Sequence, residues 1–163
     1  MQVVENFIDE KDLIIIENTL KSNSFPWYHG FAITENNPTT QFTHTFHDRD
    51  MLTSNYIDLL KPLLKKIPSM IYFRIKANLN PRTQKIEETG EHFDVQDKRL
   101  KSAVFFINDC DGYCRVGNEK IYSQKNKLIT FDSDTIHTGS STTNQPCRLV
   151  LNFIYLPWEK YVG

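Results

Sequence analysis

His92-Phe93-Asp94 sets an imidazole and a carboxylate at positions i and i+2. In an extended segment both side chains leave on the same face of the backbone, close enough to share a ligand. A third donor has to come from elsewhere in the chain, and His137 stands near the end of another predicted strand. Two imidazoles and one carboxylate on one face of an octahedron leave the remaining positions open. That is the arrangement expected of an Fe(II) centre that admits a cosubstrate and O₂. Farther on, Arg148 heads the apolar run Arg148-Leu149-Val150-Leu151-Asn152-Phe153-Ile154-Tyr155. A buried Arg in such company needs an anionic partner, because an unpaired buried charge costs several kcal/mol or more. Its planar fork suits the distal carboxylate of a dicarboxylic acid. Alternation places Arg148, Val150, Asn152 and Ile154 on one face, so Asn152 also reaches the cavity.

The elements that must position these groups follow from periodicity. Asp9 is the expected N-cap of a helix carrying Leu13, Ile14, Ile16 and Leu20 to about residue 23. Phe25-Pro26-Trp27-Tyr28 ends it, since Pro restricts itself and the residue before it. Strands are predicted over 30–34 and 40–46, separated by a turn at Asn36-Asn37-Pro38. Ser54 caps a second helix running through Leu64, which Pro62 should kink or divide near residue 61. From Ser69 the texture turns to strands, predicted over 70–79, 102–108, 119–122, 127–132 and 148–156. The expected fold is therefore mainly β with flanking N-terminal helices (α+β), a double-stranded β-helix or jelly-roll core of cupin-like type. One domain is expected over 1–163, with a helical support region over about 1–68 and the jelly-roll catalytic core over about 69–157.

Bulk composition narrows the setting. Nineteen Lys and Arg against twenty Asp and Glu give a formal charge of -1, which disfavours a nucleic-acid partner gripped through its phosphates. No stretch approaches the length of apolar residues needed to cross a membrane. The N-terminus lacks a basic-then-apolar export signal, so a cytoplasmic location is expected. Cys110, Cys114 and Cys147 are odd in number, which suits a reducing compartment better than a disulfide framework. Cys110 and Cys114 are read as small apolar or turn residues rather than as a chelating pair.

In this order, His92-x-Asp94, His137 and Arg148 resemble the 2-oxoglutarate/Fe(II)-dependent oxygenase superfamily. The run from Ala103 to Asn108, with the Asp109-Cys110-Asp111-Gly112 turn after it, resembles the prolyl 4-hydroxylase-like members. Lys127 to Ser133 resembles that family's strand leading to the distal His. Phe25-Pro26-Trp27-Tyr28, Phe42-Thr43-His44 and the segment from Arg74 to Leu79 are similar to short oxygenases encoded by bacteriophages. The resemblance implies Fe(II) held by His92, Asp94 and His137, with 2-oxoglutarate as cosubstrate, O₂, and ascorbate as reductant. It implies 2-oxoglutarate bound to iron through its 2-keto and 1-carboxylate oxygens, with its 5-carboxylate on Arg148. Oxidation to succinate and CO₂ would accompany hydroxylation of a C–H bond, on proline in a protein or peptide by closest likeness. A nucleobase or free small molecule is the alternative substrate. A jelly-roll module that binds metal without turnover is the non-enzymatic alternative. Where relatives often supply a Tyr against the cosubstrate, this chain has Asn80, with Asn78 on the same face. A second Tyr of some relatives aligns with Phe106.

Several residues carry two readings at this level. Asp132 and Asp134 are turn residues or orient His137. His29, His44 and His47 are expected at surface or substrate-side positions, with a metal pair of His44 and His47 as the other reading. Trp27 and Tyr28 pack a core edge or line the substrate mouth. Arg74, Lys76 and Arg82 form a solvated basic face or steer an acidic substrate.

Overall fold

The structure, a computed structural model, describes residues 1–30 and 40–158. The strand predicted over 30–34 and its following turn therefore lie outside the described residues, apart from Gly30. The chain runs β1 (Gln2–Val4), α1 (Glu10–Leu20), β2 (Tyr28–Gly30), β3 (Gln41–Asp48), β4 (Met51–Leu52), a 3₁₀ segment (Asn55–Leu60) and α2 (Lys61–Leu64). It continues with β5 (Ser69–Pro81), β6 (Lys101–Phe106), β7 (Tyr113–Val116), β8 (Glu119–Tyr122), β9 (Lys127–Asp132), β10 (His137–Gly139) and β11 (Cys147–Pro157).

Helix α1 forms where the sequence predicts it. Leu13, Ile16 and Leu20 are buried at helical spacing, while Ile14 and Ile15 face out. Asp9 takes the extended N-cap conformation, yet its side chain makes no capping hydrogen bond. Its backbone carbonyl accepts instead from Asp12 and Leu13. At the far end Trp27 Nε1 donates to Leu20 O at 3.0 Å, folding the Pro26 segment back onto the helix. Trp27 therefore packs, with its ring 5.1 Å from Phe25, rather than lining an opening. Ser54 Oγ accepts from Tyr56 N as the cap of the next helical stretch. Pro62 divides that stretch as expected, into a 3₁₀ turn and the short α2 with Pro in its first turn.

The eight-stranded sheet has the order β1-β9-β6-β11-β5-β3-β2, with β4 added on β3, and a three-stranded sheet has the order β10-β7-β8. All the pairings between strands are antiparallel. This is a cupin-like double-stranded β-helix, a large sheet facing a small one with the helices on the large sheet's outer side. Strand β11 lies centrally, between β5 and β6, and is buried on both faces. Leu149, Leu151 and Phe153 join Leu13, Ile16, Leu63, Ile75 and Phe105 in the core beneath the helices. Val150 joins Val104, Phe106, Val116, Ile129 and Phe131 in the core between the sheets. Strand β5 alternates in the same way, with Ile75 and Ala77 facing the helices.

Strands β1, β4, β7 and β10 are not among those predicted from the sequence, because runs of two to four residues hold little alternation, although the equally short β8 is. Among the described residues, no helix is long and apolar enough to cross a membrane. Phe153 is fully buried where β11 meets the helical layer, so its deletion leaves a large void. Phe153→Ala is expected to cost about 3–5 kcal/mol in urea unfolding at an unchanged slope. A loss below about 1 kcal/mol would show that β11 does not anchor this core.

Candidate metal centre and anion pocket

The His92-x-Asp94 segment is not a regular strand. His92 forms an isolated antiparallel bridge with His137, donating N–H to its carbonyl at 3.0 Å and accepting back at 2.9 Å. That one bridge suffices to extend the backbone locally and to bring the two imidazoles together, with ring centroids 4.4 Å apart. One donor atom from each of His92, Asp94 and His137 lies within 4.8 Å of the others. Such a spread suits a single ion bound at their centre.

Each donor is held by its surroundings. His92 Nδ1 donates to Gly90 O at 3.1 Å, and His137 Nδ1 donates to Thr135 O at 3.0 Å. With Nδ1 carrying the proton, each Nε2 keeps its lone pair for a metal. Gly90 has a φ of 92°, a left-handed turn from which its carbonyl meets the His92 ring. Burial, then the neighbouring His137, holds the His92 pKa below its ordinary value, which favours the neutral ring a metal requires. Asp94 is engaged at both oxygens. Arg74 Nη2 donates to Oδ1 at 2.7 Å, Ser102 Oγ donates to Oδ2 at 2.6 Å, and Asn152 Nδ2 stands 3.5 Å from Oδ2. Burial pushes the Asp94 carboxyl up, but His137, Arg74 and Ser102 outweigh it and keep the group ionised.

Arg148 lies at the other end of the same cavity and is 2% exposed. Its Nε donates to Ser123 Oγ at 2.8 Å, Nη1 reaches Ser140 O at 3.4 Å, and the fork sits 5.6 Å from the centre of the Phe106 ring. Among the described residues it has no carboxylate partner. Burial accordingly pulls its pKa down, with Cys114 and Cys110 only partly opposing. Gly112 makes the approach sterically possible, since a Cβ there would stand 2.7 Å from Arg148 Cδ and 2.4 Å from Ser141 O. Asp111 steadies that corner by accepting from Thr142 Oγ1 at 2.7 Å and from Thr143 N at 2.8 Å.

The cavity measures about 130 Å³ and gathers His92, Asp94, His137, Arg148, Asn78, Asn80 and Asn152. Asn80 faces Arg148 across the strand pair, and its Oδ1 accepts from Gln41 Nε2 at 3.1 Å. Arg74 and Lys76 line the cavity too, so they are not a solvated face, and Arg82 belongs to an adjoining pocket with Thr83 and Glu87. The roles of Arg74 and Ser102 against Asp94 escape sequence reasoning. The only signal is a strand face reading Arg74, Lys76, Asn78, Asn80 where apolar residues would be expected.

His44 departs from expectation: it is a core residue, 4% exposed. Its Nδ1 lies 2.7 Å from Pro26 O and its Nε2 lies 2.7 Å from Ser54 Oγ, so both nitrogens are occupied. His47 Nε2 meets Tyr72 O at 2.9 Å, and no metal pair forms with His44. Asp132 pairs with Lys101 at the surface, and the partner of the His137 ring is Thr135 instead. Cys114 sits in the core between the sheets, where burial pushes its thiol up to about 11.

Neither a protein-family model nor any curated protein sequence matches the chain. Solved structures do match. A prolyl hydroxylase from Trichoplax adhaerens, in complex with a hypoxia inducible factor oxygen degradation domain peptide, aligns at TM-score 0.71 and 12% identity, covering 99% of this chain and 85% of that one. A 2OG-Fe(II) oxygenase family oxidoreductase from Burkholderia pseudomallei aligns at TM-score 0.68 and 12% identity, covering 94% and 82%. HygX from Streptomyces hygroscopicus, bound to nickel, 2-oxoglutarate and hygromycin B, aligns at TM-score 0.62 and 10% identity, covering 96% and 82%. At such identities the likeness is one of fold: the chain adopts the double-stranded β-helix seen in 2-oxoglutarate/Fe(II) oxygenases, prolyl hydroxylases included.

Proposed function

We propose that the chain is a 2-oxoglutarate- and Fe(II)-dependent dioxygenase that hydroxylates a C–H bond, folded as one domain over 1–163. In this reading His92, Asp94 and His137 are the metal ligands and Arg148 anchors 2-oxoglutarate. The observation that carries it is the buried Arg148 guanidinium, without a carboxylate partner among the described residues, in one cavity with a His-Asp-His cluster. A protein that only bound metal would have no need of that charge, whose burial is costly until an anion arrives.

Bound iron would bring the cosubstrate and O₂ together, with O₂ as the oxidant: one oxygen atom would go to 2-oxoglutarate, giving succinate and CO₂, and the other would enter the target C–H bond. The chain's own residues bind and orient. The Gly90 and Thr135 carbonyls hold the Nδ1 protons, so both imidazoles offer Nε2. Arg74 and Ser102 hold Asp94 in place and ionised. Arg148 offers its fork to the distal carboxylate, with Asn80 across from it and Asn78 and Asn152 farther along the wall. Val104 and Val150 keep the intervening wall apolar.

For the substrate, a protein or peptide side chain, proline first, is supported by likeness to a prolyl hydroxylase whose structure holds a peptide. A free small molecule is the second reading, supported by likeness to a structure that holds hygromycin B.

Anaerobic titration of the Fe(II)-loaded protein with 2-oxoglutarate should raise a weak visible metal-to-ligand charge-transfer band. The band should vanish in His137→Ala. Bound iron without a band in the wild type would sink the dioxygenase reading. Arg148→Ala should raise the 2-oxoglutarate concentration needed for half the band on the order of tenfold or more, with iron affinity much less affected. An unchanged titration would return Arg148 to a purely structural role. Ser102→Ala should weaken Fe(II) binding roughly 10–100-fold through a less well held Asp94, read by competition with a chelator. Unaltered affinity would show that Asp94 is placed without it.

A further inference from the structure

Strand β5 presents Arg74, Lys76, Asn78 and Asn80 in a row to the cavity. Arg74 is held by Asp94, and Asn80 by Gln41. Lys76 has no such tie: among the described residues its ammonium makes no hydrogen bond or ion pair. Burial first, then the Arg74 charge, pull its pKa down to about 8, with Asp94 opposing, so it remains a cation at neutral pH. Beside it Arg74 Nε, a donor, is buried with no partner among the described residues; Asn78 Oδ1 and Asn152 Oδ1 are likewise unpartnered, but as acceptors they would meet a donor on the ligand rather than the anion itself. Polar atoms gathered in this way are costly unless something arrives to meet them.

The place of Lys76 in the sheet differs from that of Arg148. Lys76 pairs across the sheet with Asn152, whereas Arg148 pairs with Asn80. Four positions along a strand separate the two backbones by about 13 Å. The two cations thus rise from well-separated points of the strand pair, a placement that lets each meet its own anion, and the His-Asp-His cluster lines the same cavity. Lys76 acts electrostatically on both His92 and Asp94, which places its charge at the metal end.

We propose that Lys76, flanked by Asn78 and Asn152, is the subsite for an anionic group, a carboxylate or a phosphate, carried by the molecule to be hydroxylated. An anion held there tethers the substrate beside the metal ligands and limits which C–H bond can be presented. The inference rests on the dioxygenase reading, which assigns Arg148 to the cosubstrate.

The test uses the full chain loaded with Mn(II) and with N-oxalylglycine, an unreactive 2-oxoglutarate analogue that fills the Arg148 end. Inorganic phosphate and ¹³C-labelled acetate are titrated separately, and ³¹P and ¹³C paramagnetic relaxation are read by NMR. Saturable relaxation of at least one anion is expected, and which one saturates distinguishes a phosphate from a carboxylate on the substrate. Lys76→Met should weaken that binding at least about tenfold, Lys76→Arg only a few-fold, and the affinity for N-oxalylglycine should move less than about threefold in both. Relaxation in Lys76→Met equal to wild type would overturn the proposal, as would no saturable relaxation in wild type with the analogue bound. A loss of N-oxalylglycine affinity in Lys76→Met would also overturn it, by moving Lys76 to the cosubstrate. Failure of wild type to bind Mn(II) or the analogue at all would instead overturn the dioxygenase reading, and this inference with it.

Discussion

The register of β11 between β5 and β6 is the constraint on which the site depends. Both edges of β11 are hydrogen-bonded and both faces are buried, so its alternate residues meet two different environments. Leu149, Leu151 and Phe153 go to the helical layer, while Arg148, Val150 and Asn152 go between the sheets. Through the same ladder β5 is aligned so that Asn80 stands opposite Arg148 and Lys76 opposite Asn152. A slip of one residue would turn Arg148 into an apolar core and Leu149 into the cavity. The hydrophobic layer under the helices therefore does more than stabilise. By pinning the apolar face, it decides which polar groups point at the His-Asp-His cluster.

The cavity is dominated by positive charge. Arg74, Lys76 and Arg148 line it, and Asp94 is the carboxylate among its walls. Arg74 meets Asp94, which leaves Arg148 and Lys76 without an ion-pair contact among the described residues. In a fold held by a narrow margin of free energy, buried cations of this kind are a standing cost. Anions that bind the folded chain and not the unfolded one offset that cost by mass action. The electrostatics thus point outward, to ligands.

Much of the fold was legible from local pattern. The α1 stripe, the break at Pro62 and the long strands β5, β9 and β11 follow from periodicity and from the chemistry of Pro. What escaped was short or depended on distant partners. Strands β7 and β10 have too few residues to show alternation, although β10 carries His137. His44 reads as a surface residue because nothing nearby in sequence announces that Pro26 and Ser54 will occupy both of its nitrogens.

At the site the division is similar. His92, Asp94, His137 and Arg148 could be singled out because their chemistry is rare in those local settings: an i, i+2 imidazole–carboxylate pair, a His at a strand end, a cation in an apolar strand. By itself, then, the sequence determined which residue types could hold a metal and an anion, and which face of the long strand β11 Arg148 occupies, since side-chain alternation is a local property of extended backbone. Only the tertiary structure decided that Arg74 and Ser102 would clamp Asp94, that the Gly90 and Thr135 carbonyls would orient the rings, and that Lys76 would face inward without a hydrogen-bond partner among the described residues. Those are contacts between segments far apart in the chain, and sheet register and packing, not local propensity, select which polar atoms meet.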